Sequence, residues 1–130
     1  MEKVFSEKVL YNRYGKAVFR VRGTVIYDYL GKPRGFVVGK TVYDILGQHR
    51  GFLVDKVLLD RGGRVIGYEV GAVVNGLNLP PVEVPPVAYK DLPPPEPPEN
   101  AVDLECPNRI PLWSIMQLEN FLPAYQQGKK

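Results

Sequence analysis

The sequence contains an internal repeat of sixteen residues, and this period limits the folds that the chain can adopt. A glycine recurs at that spacing without exception, at Gly15, Gly31, Gly47 and Gly63. An asparagine or aspartate precedes each glycine by three residues, at Asn12, Asp28, Asp44 and Asp60. Sixteen residues are enough for one β-hairpin but too few for a propeller blade, which takes about 40–50 residues. The repeat therefore predicts four consecutive hairpins.

The turn residues of each copy indicate how the hairpins are closed. An Asx side chain at the first turn position bonds backbone amides further on, and glycine at the fourth tolerates the left-handed conformation of a bulged type I turn. Between copies stand Gly23-Thr24, Gly39-Lys40 and Asp55-Lys56, which suit two-residue turns. Turns every eight residues predict a meander of about eight short antiparallel strands. Helix is disfavoured, because no 3.6-residue periodicity appears.

A single hairpin is marginally stable in water, so the four must bury their apolar faces together. We predict an all-β fold with four hairpin repeats in a pseudo-fourfold antiparallel arrangement. The candidate core residues are Val25, Ile26, Phe36, Val38, Val42, Phe52, Val54, Val57, Leu58, Tyr68 and Val70. Gly35, Gly51 and Gly67 repeat in register, which predicts that a backbone or an aromatic ring approaches them closely.

Two segments carry a resemblance to a known family. Residues 42–52 (VYDILGQHRGF) and 60–68 (DRGGRVIGY) resemble the repeats of the bacterial 4-fold beta flower domain. The resemblance spans residues 4–74 and leaves the remainder of the chain uncovered. It implies the fold, and it implies no activity and no functional residue. A weaker similarity to PRC-barrel domains rests on the pattern Asp-x-x-Gly-x-x-x-Gly.

The chain changes character near Pro80. Twelve of its thirteen glycines precede residue 80, and twelve of its thirteen prolines lie at or after it. Residues 1–79 carry a net charge of +6 and residues 80–130 a net charge of −3, so the two parts can attract each other within a chain or between chains. We predict a hairpin-repeat domain at 1–79, a proline-rich spacer at 80–100 and a docking segment at 101–130. This division predicts that the hairpin domain folds without the tail.

The docking segment is more apolar than a short exposed helix can be. Ser114 and Gln117 form a capping-box pattern and Pro123 a stop signal, which predicts a helix over about 115–122. An isolated helix of this length is unstable in water, so it must dock. It docks either onto its own sheet or onto a neighbouring subunit or partner protein. The predicted partner-binding residues are Trp113, Ile115, Met116, Leu118, Phe121 and Leu122.

The residues that enzymes use are scarce in this chain. It has one histidine, His49, and one cysteine, Cys106, and no phosphate-binding loop or hydrolase motif. We therefore predict no enzymatic activity, no cofactor and no metal site. A hydrolase or transferase centred on His49 is the weakest alternative. No stretch approaches the ~20 apolar residues of a membrane-spanning helix and no signal peptide opens the chain, so we expect a cytoplasmic protein.

The sequence favours an assembly or adaptor function, in which a β platform carries a tail that docks onto a neighbouring subunit or a partner protein. A homo-oligomer fits this expectation. The alternative is a basic module that binds nucleic acid, a nucleotide or a phosphorylated small molecule at the rim of the hairpin turns, because guanidinium groups bind phosphate well. The residues predicted for that anion site are Arg34, His49, Arg50 and Arg64.

Overall fold

The computed structural model describes residues 7–124, and the last residues of the predicted docking segment, 125–130, lie outside this range. Eight strands form an antiparallel meander in chain order. They are β1 (Glu7–Tyr11), β2 (Ala17–Arg22), β3 (Val25–Tyr27), β4 (Pro33–Val38), β5 (Thr41–Asp44), β6 (His49–Val54), β7 (Val57–Asp60) and β8 (Arg64–Tyr68). Pairing of Tyr11 in β1 with Tyr68 in β8 closes the sheet into a barrel. The predicted all-β fold of four hairpins is confirmed.

The four Asx turns have the same hydrogen bonding. In each repeat, the Oδ1 atom of the Asx side chain accepts hydrogen bonds from the amides two and four residues later, at 2.9 or 3.0 Å. The glycine three residues after it has a φ between +80° and +97°, a conformation that other residues adopt at a cost. The strand register shifts just before each turn. The bulged turns expected from the sequence are therefore present.

Two-residue turns join successive repeats. Arg22 pairs with Val25, Val38 with Thr41, and Val54 with Val57. In the third of these turns, Asp55 and Lys56 have positive φ values of 52° and 69°, as a type I′ turn requires at both positions.

The tail runs past the four Asx turns in order, along a segment that we call the strap (residues 81–110). The Glu83 amide donates to the carbonyl of Gly15 at 2.9 Å, and the Leu92 amide donates to that of Gly31 at 2.8 Å. Pro98 lies against Gly47. The Ile110 amide donates to the carbonyl of Gly63 at 2.8 Å. A ninth strand, β9 (Ile110–Trp113), then pairs in parallel with β8.

The barrel core contains residues from both the repeats and the tail. One equivalent residue per repeat is fully buried at its centre: Leu10, Ile26, Val42 and Leu58. Three tail residues, which we call the plug, pack into the same cluster: Leu118, Phe121 and Leu122. Of the candidate core residues, Val70 was wrong, because it lies beyond the end of β8 and is 60% exposed. Three others are only half-buried: Val25, Val38 and Val54.

The predicted helix over 115–122 was also wrong. Between residues 80 and 124, the only helical element of the tail is a 3-10 turn at Leu118–Asn120. Gln117 is extended, with φ −79° and ψ 145°, and the Ser114 hydroxyl accepts a hydrogen bond from the Met116 amide at 3.1 Å instead of capping a helix. Packing of the plug into the barrel overrides the weak local preference of an eight-residue segment for a helix.

Within residues 7–124, no helix is both long and apolar enough to span a membrane.

Candidate functional site

A pocket of about 260 Å³ lies between the fourth hairpin turn and the C-terminal part of the tail. It is lined by Arg50, Asp60, Arg61, Gly62, Ser114, Ile115, Met116 and Phe121. The turn contributes an aspartate, Asp60, and an arginine, Arg61, to the lining. The tail supplies an apolar wall, which includes a buried aromatic ring.

The loop at the mouth of the pocket is fixed at both ends. The Ser114 amide donates to the carbonyl of Val65 in β8 at 2.8 Å, and the Ser114 side chain is buried. Leu118, at the other end, is part of the plug. Between these anchors, Ile115 is 97% exposed and Met116 is 40% exposed. The tertiary structure therefore presents two large apolar side chains to solvent from an anchored loop.

The six predicted partner-binding residues separate into two groups. Leu118, Phe121 and Leu122 belong to the chain's own core and are not available to a partner, which corrects the prediction for these three. They are buried because glycines at the equivalent positions of three repeats leave room for them. Trp113 is half-buried, with Arg13 at 5.4 Å from its ring centroid. Ile115 and Met116 are the exposed members of the set.

Two of the four residues predicted to bind anions are engaged with carboxylates. Arg34 donates from Nη1 to Oδ2 of Asp28 at 2.8 Å, and Arg50 donates from Nε to Oδ2 of Asp44 at 2.9 Å. A guanidinium that already neutralises a carboxylate attracts an external phosphate less strongly. Of the four predicted residues, only Arg50 lines the pocket.

The other two members of that set lie apart from the pocket lining. His49 is half-buried on β6, with its ring 4.9 Å from the Phe52 ring in an edge-on arrangement. Burial lowers the pKa of His49. A hydrogen bond with the Gly51 backbone acts in the opposite direction, and the positive charge of Arg61 adds to the lowering of the pKa. Arg64 is exposed at the start of β8.

Sequence reasoning assigned Asp60 to its turn and did not identify it as a pocket residue. The sequence does contain a signal that singles out Asp60. It lies in the column of the repeat six residues after each Asx position. That column holds Val18, Arg34, Arg50 and Ile66. Arginines bond to the turn aspartates of the second and third repeats, whereas the fourth repeat has an aspartate and no arginine in this column.

Among residues 7–124, no group of three or more His, Cys, Asp or Glu side chains is arranged to hold a metal ion.

The attraction expected between the basic and acidic parts occurs within the chain. Asp91 of the strap accepts hydrogen bonds from Arg20 at 2.6 Å and from Arg22 at 2.8 Å. Burial of the Asp91 carboxyl raises its pKa, but these two guanidinium groups outweigh that effect, so the pKa lies below its ordinary value. Asp103 accepts hydrogen bonds from the Lys40 amide and the Thr41 hydroxyl, both at 3.0 Å.

Comparison with known proteins adds one finding. No curated protein and no solved structure matches the chain. The model of one family, described as 4-fold beta flower protein, matches residues 8–122. The resemblance noted in the sequence was limited to the repeats. The family match extends further along the chain and includes the strap and the plug. The closed barrel of four hairpins agrees with it, and the chain belongs to the 4-fold beta flower protein family.

Proposed function

We propose that this protein is a non-enzymatic assembly protein that docks onto a neighbouring subunit through the loop carrying Ile115 and Met116. The strap and plug serve this function by fixing the loop on the barrel. The contact surface is therefore smaller than the whole apolar tail.

The observation that carries this proposal is the exposure of Ile115. Burying a side chain of this size stabilises by about 1.5–3 kcal/mol, and at 97% exposure almost none of that free energy is gained within the chain. Because the loop is held at Ser114 and Leu118, docking would order few additional groups. A pre-ordered contact of this kind loses less conformational entropy on binding than a flexible one.

The environment of the histidine supports a non-enzymatic role. The His49 ring lies against Phe52 and 5.9 Å from the Tyr43 ring, and its Nε2 atom is buried without a hydrogen-bond partner among the described residues. A general base needs a ring nitrogen within hydrogen-bond reach of its substrate, and Nε2 of His49 is covered by the chain itself. This arrangement is typical of a packing residue.

Sedimentation velocity of the full chain, over concentrations from about 1 μM to 1 mM, tests the proposal across the usual range of weak to moderate affinities. We expect the wild-type chain to sediment as a dimer or larger species and the Ile115→Asp/Met116→Glu variant as a monomer. The unfolding midpoint should change little, because both side chains are exposed. Leu46→Asp is the matched control, since Leu46 is an exposed apolar residue of the third Asx turn. A wild-type monomer throughout, or an oligomer that the double substitution leaves intact, would contradict the proposal.

The alternative proposal is a basic module for nucleic acid or a phosphorylated small molecule at the turn rim. It has less support, because Arg34 and Arg50 are bonded to Asp28 and Asp44. Salt-dependent binding that is lost on replacing Arg34, Arg50 and Arg64 by Glu would favour it over assembly.

A further inference from the structure

The four Asx turns differ in how the outer atom of the Asx side chain is used. In the first repeat, Asn12 donates from Nδ2 to Oε2 of Glu119 at 2.7 Å. In the second and third repeats, Oδ2 of the aspartate accepts from Arg34 or Arg50. In the fourth repeat, Asp60 uses Oδ1 for the amides of its own turn, and its Oδ2 has no protein partner within residues 7–124.

The missing partner follows from a single difference between the repeats. Ile66 stands where the second and third repeats have arginine, and its side chain is 3% exposed within the barrel core. The fourth repeat therefore keeps the carboxylate and lacks the guanidinium. Asp60 lines the pocket, and a carboxylate to which no cationic side chain is bonded favours a bound cation.

The second repeat shows how a guanidinium is held beside such a carboxylate. Arg34 bonds to Asp28 at 2.8 Å and to the carbonyl of Leu122 at 2.8 Å, and its Cζ atom lies 5.2 Å from the Phe19 ring centroid. The pocket offers two of these three groups, a carboxylate from Asp60 and an aromatic ring from Phe121. We propose that this pocket binds a guanidinium group through Asp60, with the apolar wall around Phe121 packing against the attached chain.

The neighbouring charges refine the class of ligand. Arg50 is bonded to the fully buried carboxylate of Asp44, so its charge is compensated. Arg61 also lines the pocket and is exposed, and it would pair with a carboxylate on the ligand. The shared chemistry is therefore an alkyl guanidinium, carried either by free arginine, with its own carboxylate, or by an arginine side chain of a polypeptide.

Two-dimensional ¹H–¹⁵N NMR of the full chain, titrated with each ligand, tests this inference. The probes are L-arginine, Nα-acetyl-L-arginine N-methylamide and L-citrulline. Citrulline has the shape of arginine, but its side chain ends in a neutral ureido group instead of a charged guanidinium. We expect saturable shifts of the Arg61 and Gly62 amides with L-arginine, with a dissociation constant on the order of 1 mM, and none with citrulline. Binding of the capped derivative would assign the site to an arginine side chain. Binding of L-arginine alone would assign it to the free amino acid, and both outcomes support a guanidinium site.

Two variants distinguish a cation site from an anion site. Asp60→Asn keeps the Oδ1 acceptor of the turn, as Asn12 does in the first repeat, so we expect a folded chain that binds at least tenfold more weakly. Arg61→Gln should leave binding of the capped derivative unchanged. Equal binding of citrulline and arginine, no response to any probe, or unchanged affinity in Asp60→Asn would overturn the proposal. Ile115 and Met116 belong both to the pocket lining and to the proposed contact, so the titration is run at a concentration where sedimentation shows a monomer. Under that condition a failure to bind overturns only the guanidinium site, and the sedimentation result alone decides the assembly proposal.

Discussion

At Gly51, an added methyl group has no room. A Cβ atom at this position would collide with the carbonyl oxygen of Leu59 and would lie 2.9 Å from Cζ of Phe121. At the equivalent positions of two other repeats, Gly35 lies against Leu122 and Gly67 against Leu118. The first repeat has Phe19 there, and its own ring is buried in the same cluster. Three glycines thus accept the plug, and a phenylalanine fills the fourth position.

We expect Gly51→Ala to lower the free energy of unfolding by about 3 kcal/mol, because overpacking a core costs about 1–3 kcal/mol and the nearest obstacle is backbone. Chemical denaturation of the wild type and variant measures the difference. Gly62→Ala is the control, since its new Cβ would have only Asp60 Oδ1 nearby, at 3.5 Å. A loss below about 1 kcal/mol in Gly51→Ala would show that both the Leu59 backbone and the plug can shift to make room.

Among the elements, the strap is attached to the barrel by ionic contacts as well as by backbone hydrogen bonds. Arg20 is almost fully buried and bonds to Asp91 at 2.6 Å and to Glu7 at 3.2 Å. A buried guanidinium is costly unless its charge is compensated. Asp91 therefore neutralises a charge of the barrel while it holds the strap beside the second Asx turn.

We expect Asp91→Asn to reduce the free energy of unfolding by about 2 kcal/mol at pH 7, the usual range for a hydrogen bond to a charged group. Because the pKa of Asp91 is lower in the folded state, this stabilisation is present above the unfolded pKa and is lost as pH falls through the folded pKa. Urea titrations between pH 7 and pH 2 should show the two proteins converging at low pH. The exposed strap residue Glu96 supplies the control, Glu96→Gln. A difference that does not depend on pH would show that the carboxylate charge is not responsible.

In the whole molecule, the barrel and the tail together form the hydrophobic core, which consists of two clusters. The ring of Leu10, Ile26, Val42 and Leu58 is in the same cluster as the plug. A second cluster joins residues of β6, β7 and β8 to Leu104, Cys106 and Trp113 of the tail. Removing the tail would expose both clusters to water, at a cost of about 25 cal/mol per Å² of apolar surface.

We therefore expect a fragment of residues 1–79 to lack cooperative unfolding, in contrast to the expectation from the sequence that it folds without the tail. Thermal unfolding, monitored by circular dichroism, measures whether the fragment has a cooperative transition. Adding a peptide of residues 80–130 in trans should restore a transition, and the same peptide with Phe121→Ala should restore less. A fragment that unfolds cooperatively within a few degrees of the full chain would contradict this expectation.

Much of the barrel could be predicted because its determinants are local. The Asx side chain, the glycine three residues later and the two-residue turns each act within a few residues, and the period of sixteen repeats them four times. The pocket could not be predicted in the same way, because Asp60 and Ile115 are far apart in sequence and meet only when the tail is docked.

The sequence by itself determined the hairpins, their turn types and the presence of a tail too apolar to remain exposed. Only the tertiary structure decided where that tail docks. Leu118, Phe121 and Leu122 fit space left by glycines on separate strands, and such a cavity exists only after the barrel closes. The local preference for a helix over 115–122 was outweighed for the same reason, since close packing of side chains contributes more than a short helix can.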